Sequence, residues 1–189
     1  PTSGEALLRG RPIAGPGPDR GMVFQSYSSY PWLTVLENVA FGLRLRGTPK
    51  AEREQVAHAW IKKVGLEGSE RKYPNQLSGG MRQRVAIART LAVKPQIILM
   101  DEPFGALDVQ TRLGMQNLIN ELWEEIEGTI LFVTHDIAEA VYLADKIHFL
   151  SAGPGTMVGE IDSVTAAIGS GASTTITVCA SRTMRRPTT

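Results

Sequence analysis

Apolar residues recur every three or four positions in five stretches of the chain and gather into short runs between them. Over 35–45 this spacing predicts a helix. Pro49 opens a second, over 52–64, with Val56, Ala59, Trp60 and Val64 on one face, charged residues opposite and Gly65 closing it. Trp60 therefore reads as core packing. From Ser78, placed as an N-cap, a long helix runs to about 93, where Lys94-Pro95 stop it. A strand at 97–100 follows at once. Helix 109–126, strand 130–133, helix 137–144 and strand 146–150 then alternate, the rhythm of a parallel sheet covered by helices. The predicted class is α/β.

Outside this alternation the text is weaker. Residues 4–13 carry short apolar runs broken by Gly and Pro, the pattern of a small hairpin. A loop spans 15–21, and its glycines invite a phosphate-binding reading, but Pro16 and Pro18 remove two of the backbone donors such a loop needs. A short strand over 21–25 follows. After about 163 the composition turns to Thr, Ser, Ala and Gly with little periodicity and ends in Arg182, Arg185 and Arg186, which predicts a disordered tail.

Composition narrows the class without naming a function. The chain has 189 residues, 42% hydrophobic and 21% charged, as in ordinary globular domains. Twenty basic against nineteen acidic side chains give +1, so no broad field draws it to nucleic acid or an anionic membrane. The single cysteine, Cys179, has no internal partner, and no Cys/His group has zinc-ligand spacing, which suits a reducing cytosol. The longest apolar runs fall far short of the roughly 20 residues needed to cross a bilayer. Pro1-Thr2-Ser3 opens the chain with no initiator Met, basic n-region or apolar h-region, so it reads as starting mid-protein.

Three places carry candidate chemistry. Strand 97–100 delivers Asp101-Glu102 to its carboxyl end, where open α/β sheets bind ligands. Adjacent carboxylates there can divide labour: one holds Mg²⁺, a hard cation favouring oxygen, while the next orients or deprotonates a water. Strand 130–133 ends in Thr134-His135-Asp136, placing a histidine level with that pair. The decisive segment is Leu77-Ser78-Gly79-Gly80-Met81-Arg82-Gln83-Arg84, a serine and two glycines at a helix start that leave bare N–H groups and a positive dipole end. With average residue usage, Leu-Ser-Gly-Gly followed at that spacing by Gln-Arg arises at roughly 10⁻⁷ per position.

Gln25, Leu77 to Gln83, Ile97 to Pro103, Gly105 to Asp108 and His135 together resemble, in order and spacing, the ATPases of ABC transporters, over roughly residues 1–160. The resemblance implies an ATPase core of the P-loop NTPase type, built here from 1–25 and 95–162, a helical subdomain over 26–94 and an atypical tail over 163–189. It makes Asp101 the magnesium carboxylate, Glu102 the general base, and Gln25 a contact to Mg²⁺ and water that senses the membrane partner. His135 would contact the γ-phosphate, and Asp108 would lie in the loop coupling two active sites. Ser78, Gly79, Gly80 and Gln83 would bind ATP held by a second subunit, in a head-to-tail dimer. Tyr30-Pro31-Trp32-Leu33-Thr34-Val35, Asn38 to Leu43 and Phe104 to Asp108 look like the nitrate/taurine/sulfonate importer group. That likeness implies a peripheral subunit at the cytoplasmic face of the inner membrane, powering import with ATP and Mg²⁺. It would grip a permease near Pro31 and Trp32, serve a periplasmic binding protein indirectly, and contact no nucleic acid.

The family's P-loop is not among these residues: no lysine of the chain follows a glycine. A start downstream of that loop is the expected reason, which would leave the fragment on its own inactive. Two alternatives stay open: a soluble ABC ATPase of DNA repair or chromosome organisation, and a catalytically dead binding module.

Overall fold

A computed structural model describes residues 4–26, 28–123, 126, 128–151, 155–162 and 177–183. The predicted hairpin is present as β1 (Leu7–Leu8) and β2 (Arg11–Pro12), paired antiparallel. β3 (Arg20–Val23) then enters a six-stranded sheet together with β4 (Ile97–Asp101), β5 (Thr129–Thr134), β6 (Lys146–Leu150), β7 (Met157–Asp162) and β8 (Thr177–Thr183). β3 is shorter than predicted, so Gln25 lies in a bend two residues past its end.

β3, β4 and β5 run parallel, with Val23 level with Met100 and Met100 level with Phe132. Their carboxyl ends therefore share one edge. Ile98, Met100, Ile130 and Phe132, which share one face by the strand's period of two, are buried, while Ile97, Leu99, Thr129, Leu131 and Val133 on the other face are half-buried. Three helices link β3 to β4 and the later helices follow: α1 (Val35–Leu45), α2 (Lys50–Lys63), α3 (Gly79–Ala92), α4 (Val109–Trp123) and α5 (Ile137–Leu143). In α2 the buried stripe is Ala57, Trp60, Ile61 and Val64, with Ala59 exposed. The predicted face was rotated, because 57, 60, 61 and 64 form the 3–4 ridge and position 59 lies about 100° from Trp60. Trp60 does pack in the core.

The segment 163–189 departs from its expectation. Residues 177–183 are not irregular; they form β8, antiparallel to both β5 and β6 and lying between them. Val133 and His148 both pair with Cys179. Backbone pairing on two sides satisfies the donors and acceptors of a segment whose side-chain periodicity is weak. The remainder of that tail lies outside the described residues.

Local chemistry fixes the segment between β3 and α1. Thr34 caps α1: its Oγ1 accepts from Glu37 N at 3.3 Å, and Glu37 Oε2 accepts from Thr34 N at 2.8 Å, a capping box. Those bonds from Thr34 hold the Glu37 carboxyl below its ordinary value. One turn on, fully buried Asn38 accepts from Tyr30 N (2.8 Å) and donates to the carbonyls of Tyr30, Leu33 and Thr34 (3.1, 2.9 and 3.0 Å). An Asn38→Leu variant has the right volume but leaves the Tyr30 N–H and C=O without this partner. It should lose about 2–4 kcal/mol of stability by urea denaturation, well above a surface substitution.

Candidate active site

β4 ends in Asp101, whose side chain is exposed, and the chain then turns through Glu102 with φ of 40°. A left-handed glutamate costs about 1–3 kcal/mol of backbone strain, and such strain gathers where a side chain must be aimed. The turn is held on both sides: Glu102 N donates to Val133 O (2.8 Å) and Glu102 O accepts from Gly105 N (3.1 Å). Buried Phe104 anchors it, its ring 5.7 Å from that of Phe132.

The strain has a visible return. Glu102 Oε1 lies 3.3 Å from His135 Nδ1, one residue past β5, and Glu102 Oε2 accepts from Gln25 Nε2 at 3.1 Å. Three strand ends thus converge on one carboxylate. His135 is mostly exposed and Glu102 partly so, which leaves the group open to a reactant. Gln25 donates its amide N–H to Glu102, and its amide oxygen and the carboxylate of exposed Asp101 are donors of the type a magnesium ion takes. Among the described residues no three His, Cys, Asp or Glu side chains cluster as a protein-only metal cage. Magnesium needs none, since it keeps several waters and is completed by phosphate oxygens.

Behind this edge a small cleft, with a volume of about 20 Å³, is lined by Glu102, Gly105, Arg112, His135, Asp136 and Glu139, among others. Arg112 spans it, reaching Asp136 Oδ2 (3.5 Å) and Leu107 O (3.3 Å). Glu139, buried, accepts from equally buried Gln116 Nε2 at 3.0 Å. Sequence reasoning missed these supporting residues. The available signal was Gln116 and Glu139 standing among apolar helix positions.

The second predicted group forms its own surface. Ser78 is the N-cap of α3, its Oγ accepting from Met81 N (3.3 Å), and Gly79 and Gly80 make the first turn. A Cβ on Gly80 would stand 2.6 Å from Thr111 Cγ2, so the glycine lets α3 and α4 approach closely. Asp108 caps α4 by accepting from Thr111 N (3.0 Å), and hydrogen bonds from Thr111 lower its carboxyl below the ordinary value. The helix-start amides and Asp108 therefore sit side by side at the surface. Gln83 is not with them. It is fully buried in α3, with neither amide atom hydrogen-bonded, and cannot meet a phosphate arriving at the exposed turn. The spacing that drew attention to Gln83 puts it one turn further in, on the core side of the helix.

The model of a known family, described as ABC transporter, matches residues 1–105, more than half of the chain. The chain belongs to the ABC transporter family. Its α/β architecture is that of an ABC ATPase. Among curated proteins this ABC chain is 59% identical over 155 residues to an uncharacterised ABC transporter ATP-binding protein of Methanocaldococcus jannaschii, covering 82% of this chain and 58% of that protein. It is 50% identical over 161 residues to the nitrate import ATP-binding protein of Synechocystis, with 85% and 60% covered. It is 54% identical over 158 residues to the taurine import ATP-binding protein of Escherichia coli, with 84% and 62% covered. The ABC chain spans about three fifths of the length of these relatives. Among its described residues no helix is long and apolar enough to cross a membrane.

Proposed function

We propose that this chain is the greater part of an ATP-hydrolysing subunit that powers import of a small solute through a membrane permease. The observation that carries this is the Glu102 carboxylate gripped at both oxygens by Gln25 and His135 at the carboxyl edge of parallel strands. A carboxylate so aimed, with its own turn strained to aim it, suits a general base that takes a proton from water as it attacks a phosphoryl group. Asp101, with the Gln25 amide oxygen, would hold Mg²⁺, which supplies charge neutralisation to the phosphates when bound. His135 would hydrogen-bond the transferred phosphoryl group. Ser78, Gly79 and Gly80 offer helix-start amides on a different surface, which fits phosphate of a nucleotide carried by a second copy, with Asp108 alongside in the same interface.

The nitrate and taurine importers named above support a similar small solute. Trp32 is 70% exposed and, beside exposed Pro31, offers an apolar anchor for a permease helix. On this reading the subunit would lie peripherally at the cytoplasmic face of the membrane, with a periplasmic binding protein choosing the solute. The test is ATP hydrolysis by the subunit expressed from its complete gene and reconstituted with the permease encoded beside it. Magnesium-dependent turnover stimulated by the solute and its binding protein is the expected result. A complete, folded subunit that binds no ATP overturns the reading.

A further inference from the structure

Resting on that reading, we propose that Arg89 is a positioning residue that clamps the loop between β3 and α1 to helix α3 and so keeps Gln25 on Glu102. Arg89 lies near the end of α3 and reaches across to the loop with two nitrogens: Nη1 donates to Ser28 O and Nη2 to Ser28 Oγ, each at 2.7 Å. The same guanidinium stands 4.9 Å from the centre of the Tyr30 ring. A planar, two-pronged cation does this and a lysine cannot, because only the guanidinium offers parallel donors while stacking on a ring.

The loop is held at both ends as well. At one end Gln25 meets Glu102 (3.1 Å), and at the other Asn38 holds the backbone of Tyr30. Ser28 is midway, and Arg89 attaches that midpoint to the helix that begins at Ser78. Burial pushes the Arg89 guanidinium below its ordinary value, with Tyr30 pulling the other way, so the charge is partly desolvated and its bonds are correspondingly directional. On the outer side the Tyr30 ring lies 5.7 Å from that of exposed Trp32. The clamp therefore joins three things: the exposed tryptophan, the helix whose first turn forms the second surface, and the amide that orients the base.

The test compares Arg89→Lys with Arg46→Lys in the complete subunit. Arg46 is a matched control: it also donates from both terminal nitrogens, to Val93 O and Pro18 O at 2.6 Å each, but does not touch the loop. Arg89→Lys should speed amide hydrogen exchange over 25–30 and lower the kcat for ATP about tenfold with KM within about twofold, while Arg46→Lys does neither. In combination with Gln25→Ala, Arg89→Lys should cost no further kcat, because both changes release the same amide. Ser28→Ala, which keeps the arginine and removes one bond, should loosen the loop to an intermediate degree. Exchange in the loop no faster than in the Arg46 control, or kcat losses that multiply in the double variant, would overturn the proposal. Should the complete subunit hydrolyse no ATP at all, the functional reading falls, while the exchange comparison still decides whether the clamp exists.

Discussion

Replacing Glu102 by Gln should leave ATP binding within a few-fold of wild type and lower hydrolysis by at least ~100-fold, the order expected for loss of a general base. The reason is specific to the geometry. A glutamine side chain has nearly the same shape and can still accept from Gln25 Nε2 through its amide oxygen, and Asp101 is untouched, so the site keeps its shape and its proposed metal ligand. What it loses is the capacity to take a proton from water. Steady-state turnover and equilibrium nucleotide binding, measured on the complete subunit, separate the two effects, and ATP-bound dimers should accumulate. Turnover within a few-fold of wild type would remove Glu102 from the base role. Weakened binding equal to the loss in turnover would instead mean that the carboxylate mainly holds metal or phosphate.

Ser78→Arg should produce a comparable loss by another route. The side chain caps α3, so its removal costs about 1 kcal/mol of helix stability, and Ser78→Ala serves to measure that component alone. The arginine adds bulk at a turn whose neighbour, Gly80, is already pressed against Thr111. Hydrolysis and dimer closure should fall by at least ~100-fold, the scale set by losing aimed donors to a developing phosphate charge. Nucleotide binding by the isolated subunit should stay within a few-fold of wild type, because on this reading the phosphate touched by Ser78 belongs to the partner. Equal loss of monomer binding, followed by titration calorimetry, would show instead that Ser78 serves its own nucleotide.

The alternation of helix and strand from 97 to 150 was legible because each element is short, apolar on the expected period and closed by Pro, Gly or a charged turn. Asp101-Glu102 and His135 were legible for the same reason, since the end of a parallel strand is a fixed address in such a sheet. The serine and glycines at 78–80 announced themselves by composition. What remained hidden depends on separation along the chain. Gln25 and Glu102 are 77 residues apart, and Arg89 and Ser28 are 61 apart, so no local periodicity reports their meeting. Gln83 misled through proximity: it adjoins the exposed turn in sequence, yet 100° per residue carries it into the core. β8 was missed because its strand character resides in backbone pairing on both sides rather than in its own pattern of residues.

That strand also sets an order of events during folding. β5 and β6 are consecutive along the sheet-building part of the chain and run the same way, but hydrogen-bond to each other only through β8. As the polypeptide emerges from the ribosome, β3 through β7 are all available before residues 177–183 exist outside it. Until then the sheet is two pieces, β3-β4-β5 and β6-β7, each with an open edge facing the other. Open edges of buried strands are where neighbouring chains add. The interval of greatest exposure to misassembly therefore falls in the middle of the sheet, not at its rim, and it ends when the strand nearest the carboxyl end of the described chain is threaded into place.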